Sequence, residues 1–406
     1  MKRKNLICIG SDRGGAFCDG EGTFARFSMG LLVNLLAREY EKVVWSAPRE
    51  RGKKENCAVK LADNVEFVES PDYDPDKFQP FARRDQFLDA WKKALAEPGD
   101  VLVFGQIPAV SELYDFCEAT GSRTLHWLFN DPFAKINASD RGFLSKKLAL
   151  FGASRWENAL KRGAAKTNGA FLCAGRQICE RMDGFARYDV VAAPILESDF
   201  SCRDDVCQGE TARVLFVGSV CPTNGVASLV EALTLLQTER KVEFVCVDNG
   251  DKLDSKYREL LQKIVRDNRL EDRASFLSRL DREKIFEIMR ESDVFVYPAL
   301  AADAPYEIAE ARSQGLPTIA CAVGGLPSSI EDGTDGLLAP PDSPAAIADA
   351  IDCVLSDDEL RRQLIAEGYA SAQNMTFDEF AHNIVKIFDK MNGLDDDDEI
   401  EIDDEL

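Results

Sequence analysis

Two carboxylates stand close together in the stretch DAPYEIAEARSQGLP, which begins at Asp303. Asp303 lies just before a predicted helix, and Glu310 lies within it, between two segments typical of buried strands. A carboxylate beside strand ends can accept hydrogen bonds from a ribose diol, as acidic side chains do in dinucleotide sites. Asp303 is also explained as a helix cap, because Pro305 favours a helix start directly behind it. Glu310 is therefore the stronger candidate for a ligand contact.

Two glycine-bearing loops in the second half of the chain follow predicted strands. The stretch FVGSVCPTNG places Gly218, Ser219 and Asn224 between a strand and a helix start, where backbone N–H groups can hold a phosphate. The stretch AVGGLP places Gly324 and Gly325 after a later strand, where glycine allows a close backbone approach. Each loop is equally compatible with an ordinary tight turn. Together with the carboxylates, they predict a nucleotide site in this half.

The first half of the chain offers weaker candidates. Gly14 and Gly15 follow the first predicted strand, NLICIG, in a similar arrangement. His126, one of two histidines in the chain, lies within the predicted strand RTLHWLFNDP. A histidine within a strand is more often part of the core than catalytic. We keep these three residues as candidates for presenting an acceptor, with a core position as the alternative for His126.

The elements that must position these residues alternate between strand and helix patterns. Apolar runs such as KVVWSA, DVLVFG, VEFVCV and DVFVYP are continuous, which is typical of parallel strands covered on both faces. A long helical pattern, TFARFSMGLLVNLLAREY, follows the first loop. These patterns predict an α/β protein of two Rossmann-like, doubly wound domains, residues 1–197 and 198–376. Ligands then bind beyond the carboxyl ends of the strands, and the cleft between two facing domains is the expected site.

Composition narrows the class of function. The chain has 406 residues and a net charge of −22, so it is a poor partner for nucleic acid, whose phosphates need a basic surface. Residues 393–406 are acidic and are predicted to be disordered. The opening MKRKNLICIG is too short for a signal peptide and no apolar run reaches the length of a membrane span, which predicts a cytoplasmic protein. The twelve cysteines lack metal-ligand spacing, so we interpret them as reduced core residues.

One stretch, residues 143–166, departs from the acidic character of the chain. It carries six basic residues and one acidic residue, interleaved with large apolar side chains. A helix of this kind could make a peripheral contact with anionic lipid at the inner face of the membrane. The alternative is an amphipathic helix packed on its own sheet, with lysine stems lying along apolar surface.

The order of motifs between residues 213 and 375 resembles the C-terminal half of family 4-type retaining glycosyltransferases (glycosyl transferases group 1), which have the GT-B fold. The motifs are FVGS…NG, FLSRLDREKIFEIMRESDVFVYPA, QGLPTIA…GGLP and EDGTDGLLAPPDSPAAIADAI. The resemblance implies two Rossmann-like domains facing a central cleft, and a last helix, residues 377–392, that crosses back to the N-terminal domain. It also implies a nucleoside-diphosphate sugar as donor substrate, with no further cofactor and no metal.

The resemblance also implies roles for individual residues. Glu310 matches the second glutamate of a paired motif that holds the donor ribose. The first glutamate would stand at Ala302, so Asp303 is the nearest substitute. Further matches fall on the glycine turn of the nucleotide pocket and on the loop that meets the base, namely Gly324, Gly325, Leu326, Arg279 and Leu280.

Two positions depart from the family pattern. The arginine and the lysine that contact the donor diphosphate are replaced by Ser219 and Asn224. A charge-assisted hydrogen bond contributes roughly 1.5–3 kcal/mol, so losing two would lower the rate by about 10²–10⁴. Arg13 and Arg279 are candidates for a substitute cation.

The sequence therefore predicts a retaining glycosyltransferase that moves a hexose from a nucleoside-diphosphate sugar to a saccharide or lipid-linked acceptor in polysaccharide biosynthesis. The leaving diphosphate would help to deprotonate the acceptor, so no side-chain nucleophile is required. The alternative is a catalytically silent subunit with the same fold, which binds or scaffolds. Nucleotide binding separates the two hypotheses, because an enzyme must bind a nucleoside diphosphate.

Overall fold

The computed structural model describes residues 3–10, 15–50, 59–72, 83–129, 131–138, 142–190, 192–250, 255–301 and 306–394. The acidic end of the chain, predicted to be disordered, lies outside the described residues from position 395 onward. The chain divides into two compact units. The N-terminal unit contains Met1–Pro194 and Phe377–Leu406, and the C-terminal unit contains Ile195–Thr376.

The N-terminal unit is an α/β structure. Its described strands are β1 (Arg3–Ile9), β2 (Ala16–Asp19), β3 (Gly22–Ala25), β4 (Tyr40–Pro48), β5 (Val59–Lys60), β6 (Val65–Ser70), β7 (Asp100–Phe104), β8 (Thr124–Leu128), β9 (Ala170–Cys173) and β10 (Arg187–Asp189). Its described helices are α1 (Phe27–Glu39), α2 (Arg84–Ala94), α3 (Val110–Thr120), α4 (Pro132–Ala138), α5 (Phe143–Thr167), α6 (Arg176–Arg181) and, from the end of the chain, α14 (Phe377–Asn392).

Seven of these strands form one parallel sheet in the order β10-β9-β8-β7-β1-β4-β6. Successive residues of β1 enter two different cores. Leu6 and Cys8 pack with α1 and α14 on one face of the sheet, whereas Ile7 and Ile9 pack with α2 and α3 on the other. Because both faces are covered, the strand is apolar without alternation, as the sequence predicted.

The predicted helix from Thr23 is wrong at its start. Strands β2 and β3 form an antiparallel hairpin that pairs with β5, and α1 begins only at Phe27. The turn between the strands has the sequence DGEG, and the carboxylate of Asp19 accepts a hydrogen bond from the N–H of Glu21 at 2.8 Å. This turn chemistry overrides the helical periodicity for the first residues of the pattern.

The C-terminal unit is a second α/β structure. Its strands are β11 (Thr211–Gly218), β12 (Lys241–Asp248), β13 (Ala274–Leu277), β14 (Val294–Tyr297), β15 (Thr318–Cys321) and β16 (Leu337–Ala339). Its described helices are α7 (Val226–Ala232), α8 (Ser255–Asp267), α9 (Arg282–Arg290), α10 (Tyr306–Ser313), α11 (Leu326–Ser329), α12 (Pro344–Ser356) and α13 (Asp358–Gln373).

The sheet of this unit is parallel throughout, in the order β13-β12-β11-β14-β15-β16. The strand order reverses between β11 and β14, whose carboxyl ends are Gly218 and Tyr297. This is the doubly wound order of a Rossmann fold, and in such sheets ligands bind at the point of reversal. The predicted α/β class with doubly wound parallel sheets is confirmed.

Candidate functional site

The loops that follow β11 and β14 contact each other at the point of reversal, which we call the switch point. The N–H of Leu300 donates to the carbonyl oxygen of Thr223 at 2.8 Å. Gly225 has a φ of 64°, and a Cβ atom there would stand 1.9 Å from the carbonyl oxygen of Pro298. Position 225 therefore requires glycine, both for its backbone conformation and for this close approach. The start of α7 is thereby fixed against the end of β14.

Ser219 and Asn224, which the resemblance places at the donor diphosphate, lie in the loop after β11. The side-chain amide of Asn224 donates to the carbonyl oxygen of Ser219 at 2.8 Å. The carboxylate of Asp248, buried at the end of β12, accepts hydrogen bonds from the N–H groups of Val220 at 3.1 Å and Gly250 at 3.3 Å. The backbone of this loop is therefore hydrogen-bonded by two side chains of the same unit, the amide of Asn224 and the carboxylate of Asp248.

Glu310 lies in α10, with its side chain 14% exposed. Its carboxylate Oε1 stands 3.5 Å from Nε of Arg282. Burial raises the pKa of Glu310 to about 7; the Arg282 guanidinium opposes this shift, and the charges of Glu307 and Asp199 add to it. The carboxyl group therefore changes its protonation state near neutral pH, which is typical of functional sites.

Arg282 is a site residue that the sequence analysis missed. It is the first residue of α9, and its Nη2 donates to Oδ2 of Asp199 at 2.9 Å. Its guanidinium lies 4.1 Å from the centre of the Phe286 ring. A cation at the first position of a helix is unfavourable because it opposes the helix dipole. An arginine at the start of the predicted helix, in RLDREK, was therefore the signal in the sequence that this residue has a charged partner. The pairing with Asp199 and Glu310 gives the physical reason for a cation there.

The other predicted nucleotide residues follow strands of the same parallel sheet. Gly324, with a φ of 57°, and Gly325 lie between β15 and α11. Leu326 is fully buried, so its side chain belongs to the core and only its backbone can face a ligand. Arg279 is exposed and Leu280 is half-buried in the segment between β13 and α9. Parallel strands bring all these segments to one edge of the sheet.

Three predicted residues, Asp303, Gly14 and Arg13, lie outside the described residues. Gly15 is described, and a Cβ atom there would stand 1.5 Å from the carbonyl oxygen of Pro48, at the end of β4. This approach gives Gly15 a structural reason that does not depend on a ligand.

His126 is a core residue, which corrects its candidacy as a catalytic group. It is fully buried in β8, with Nε2 at 2.6 Å from the carbonyl oxygen of Gly105 and Nδ1 at 3.2 Å from the hydroxyl of Tyr114. Since a carbonyl oxygen only accepts, Nε2 carries the proton and Nδ1 accepts from the tyrosine. Burial lowers the pKa of His126 to about 4, so the ring is neutral at pH 7. Both nitrogens are bonded and the ring has no exposed surface to offer an acceptor.

Polar clusters elsewhere in the N-terminal unit form ion pairs. Asp131 pairs with Arg181 at 3.0 Å, and Arg181 pairs with Glu157 at 3.0 Å. Within the described ranges, no group of three or more His, Cys, Asp or Glu side chains could hold a metal ion. No helix in the same ranges has the length and apolar character needed to cross a membrane.

The fold agrees with known structures along nearly the whole chain. Sucrose-phosphate synthase from Thermosynechococcus elongatus is similar with a TM-score of 0.72 and 18% identity, over 96% of this chain and 100% of that chain. HepE of Anabaena, solved in complex with UDP-glucose, is similar with a TM-score of 0.65 and 13% identity, over 95% of this chain and 99% of that chain. The chain therefore has the GT-B fold, as predicted.

The sequence similarity to known proteins lies in the C-terminal unit. Residues 204–371 match the model of the family described as glycosyl transferases group 1. The D-inositol 3-phosphate glycosyltransferase of Xylanimonas cellulosilytica is 29% identical over 179 residues, which are 44% of this chain and 42% of that protein. The chain thus spans about two-fifths of the length of the curated relatives it matches.

Proposed function

We propose that this chain is a retaining glycosyltransferase that moves a hexose from a nucleoside-diphosphate sugar to a saccharide or lipid-linked acceptor. The observation that carries the proposal is the carboxylate of Glu310, which lies beside the guanidinium of Arg282. Both residues belong to the unit whose parallel sheet reverses its strand order between β11 and β14, where ligands bind in such folds. The match of residues 204–371 to the glycosyl transferases group 1 model and the UDP-glucose bound to HepE support a sugar nucleotide as the donor.

Glu310 would accept hydrogen bonds from the ribose hydroxyls of the donor. An ionised carboxylate only accepts, whereas the protonated acid uses one oxygen as a donor. Because the pKa of Glu310 is raised to about 7, donor binding would favour the ionised form. Nucleotide affinity is then expected to increase as the pH rises through about 7. The donor diphosphate would leave with the acceptor proton, which requires no nucleophilic side chain.

Calorimetric titration with UDP, GDP and ADP tests the donor site. We expect selective binding of one nucleotide, weakened about tenfold or more by Glu310→Gln, because a charge-assisted hydrogen bond is lost. Glu283→Gln, an exposed carboxylate on α9, is the matched control and is expected to bind as the parent protein does. Equal affinity of the parent protein and both variants would contradict the assignment of Glu310, and no binding at millimolar concentrations would contradict the enzyme.

A catalytically silent binding subunit is the second candidate, favoured by one observation. The loop after β11 carries Ser219 and Asn224 where the resemblance implies two cations, and the carboxylate of Asp248, at the end of β12, accepts a hydrogen bond from the N–H of Val220 in this loop. A negative charge at this position disfavours a second anion. A silent subunit of this kind would bind nucleotide weakly or not at all.

The double variant Ser219→Arg/Asn224→Lys separates the two candidates. If the chain is an enzyme with a weakened diphosphate site, restoring the cations is expected to increase the release of nucleotide from the selected sugar nucleotide by up to about 10²-fold. The measurement is the rate of nucleotide release by parent and variant, with Ser219→Gln/Asn224→Gln as an uncharged control. Undetectable release by all three proteins supports the silent subunit.

A further inference from the structure

Helix α5 exposes four large apolar side chains within nine residues. The exposed fractions are 72% for Phe143, 80% for Leu144, 72% for Leu148 and 61% for Phe151. The other large hydrophobic residues exposed in the described ranges are single residues on separate elements or loops, Leu235, Leu260, Leu300 and Leu394. Scattered apolar residues on a surface are normal, but a contiguous cluster on one helix marks an interaction site.

These side chains share one face of α5, and the opposite face anchors the helix. Residues spaced by three or four positions lie on the same side of a helix, so Leu144, Leu148, Phe151 and Arg155 form one line. On the other side, Leu160 is buried and the indole N–H of Trp156 donates to the carbonyl oxygen of Ile107 at 3.0 Å. The packing partner of α5 within its own unit is therefore already in place, and the exposed face is additional to it.

The inner face of α5 is also fitted closely to α3. A Cβ atom at Gly163 would stand 2.3 Å from the Tyr114 ring, so the end of α5 can approach α3 only because this residue is glycine. The side chain of Lys146 donates to the carbonyl oxygen of Asn137 at 2.7 Å, which ties the start of α5 to α4. The helix has 25 residues, about 37 Å. A helix held on this side cannot rotate to bury its apolar face.

The charge on the exposed face is opposite to that of the chain. Nζ of Lys147 lies 4.5 Å from the centre of the Phe143 ring, and the Arg155 guanidinium lies 5.9 Å from the centre of the Phe151 ring. Residues 142–156 contain three basic and no acidic residues, in a chain of net charge −22. We call Phe143, Leu144, Lys147, Leu148, Phe151 and Arg155 the outer stripe.

We propose that the outer stripe of α5 docks on an anionic lipid surface. Apolar side chains with cations beside their rings suit the boundary between headgroups and acyl chains, where lysine and arginine meet lipid phosphates. Pairing with a second copy through the same stripe would bring the basic residues of the two copies together, and stable protein interfaces use about 20–30 residues a side. The surface lies in the N-terminal unit, so the proposal does not depend on the nucleotide site proposed in the C-terminal unit.

Co-sedimentation of the full chain with vesicles tests this proposal. We compare phosphatidylcholine alone with phosphatidylcholine mixed with phosphatidylglycerol. We expect binding to the mixed vesicles that is about tenfold or more tighter than to the neutral ones and that weakens as salt is added. Binding to neither kind of vesicle, or to both equally, would overturn the proposal.

Matched variants locate the contact. Leu144→Ser/Leu148→Ser and, separately, Lys147→Gln/Arg155→Gln are each expected to weaken binding about tenfold or more. The control pairs Leu235→Ser/Leu260→Ser and Lys256→Gln/Lys263→Gln change residues that are likewise exposed. Equal losses in the control pairs would overturn the proposal. So would a dimer in sedimentation velocity that Leu144→Ser/Leu148→Ser dissociates in a protein without lipid affinity, because a second copy would then be the occupant. Circular dichroism checks that each variant is folded.

Discussion

His126 and Glu310 are titratable groups that burial moves towards their neutral forms, yet their surroundings differ. His126 lies inside a strand, with both ring nitrogens bonded to neutral groups and no exposed surface. Glu310 lies in helix α10 of the C-terminal unit, partly exposed, beside the guanidinium of Arg282. Burial shifts the pKa of both groups. A shifted pKa therefore marks a ligand site only when the group also keeps an open side and a charged partner.

The largest expected effect is on the stability of the N-terminal unit, when the buried ring of His126 is removed. His126→Ala removes a buried ring and the hydrogen bonds that this ring makes with the Tyr114 hydroxyl and the Gly105 carbonyl. We therefore expect the N-terminal unit to lose about 3–4 kcal/mol of unfolding free energy. All four tryptophans, Trp45, Trp91, Trp127 and Trp156, belong to this unit, so tryptophan fluorescence during urea unfolding reports on it separately.

The exposed histidine supplies the control for this change. His382→Ala, on the outer side of α14, is expected to shift the same transition by less than about 0.5 kcal/mol. Nucleotide affinity is expected to stay unchanged in both variants. Reduced affinity in folded His126→Ala would contradict the assignment of His126 to the core.

The next effect is the loss of unfolding free energy that His126 causes in the N-terminal unit as the pH falls. The pKa of His126 is lowered from 6.5 to about 4, so its stabilising effect is present above pH 6.5 and is lost as the pH falls through 4. We expect this group to account for a loss of about 3 kcal/mol in the N-terminal unit between these values. The measurement is the tryptophan-detected urea midpoint at several pH values. His126→Ala should make this dependence shallower; an unchanged slope would contradict a buried neutral ring.

Glu310 is expected to change the stability of the C-terminal unit in the opposite direction with pH, and by a smaller amount. The pKa of Glu310 is raised from 4.5 to about 7, so its contribution to stability is present below 4.5 and is lost as the pH rises through about 7. Because the group is paired and partly exposed, we expect about 2 kcal/mol. Hydrogen exchange of the amides of β14 and β15 between about pH 5 and 8 measures it. In Glu310→Gln the dependence should be absent, and its persistence would assign it to another group.

The smallest expected effect concerns the partner of Glu310. Arg282→Met removes the cation that favours the ionised carboxylate, so the pKa of Glu310 should rise further. We expect nucleotide affinity to fall by about three- to tenfold at neutral pH, with partial recovery at about pH 8, where the carboxylate ionises again. Arg279→Met, at the exposed arginine three residues earlier that the sequence analysis chose, is the comparison. If Arg279→Met has the larger effect on calorimetric affinity, the sequence-based choice of Arg279 is right and the structure-based assignment of Arg282 is wrong.

The sequence was sufficient for the architecture because strands covered on both faces leave continuous apolar runs. β4, β7, β12 and β14 all lie where such runs predicted them. The hairpin β2–β3 was missed because two short strands carry too few residues to outweigh a helical periodicity that continues into α1. Local turn residues, rather than periodicity, contained the information.

The candidate site was only partly predictable, for a different reason. Glu310 and the glycine loops could be found from residue type and position after a strand. The pairing of Arg282 with Asp199 joins residues 83 positions apart, and nothing in local sequence links them. His126 shows the converse, since its core position depends on Tyr114 and Gly105, which belong to other elements.

Helix α14 gives the protein a particular order of assembly during synthesis. Phe380, Ile384 and Phe388 of this helix lie in the same core as Leu6 and Leu32, near the other end of the chain. The ribosome must therefore produce the whole of Ile195–Thr376 before that core can close. At typical elongation rates this takes on the order of 10–40 s, and during this time the apolar residues of β1 and α1 cannot pack against α14. The C-terminal unit has no such delay, because all of its strands and helices are contiguous in the chain.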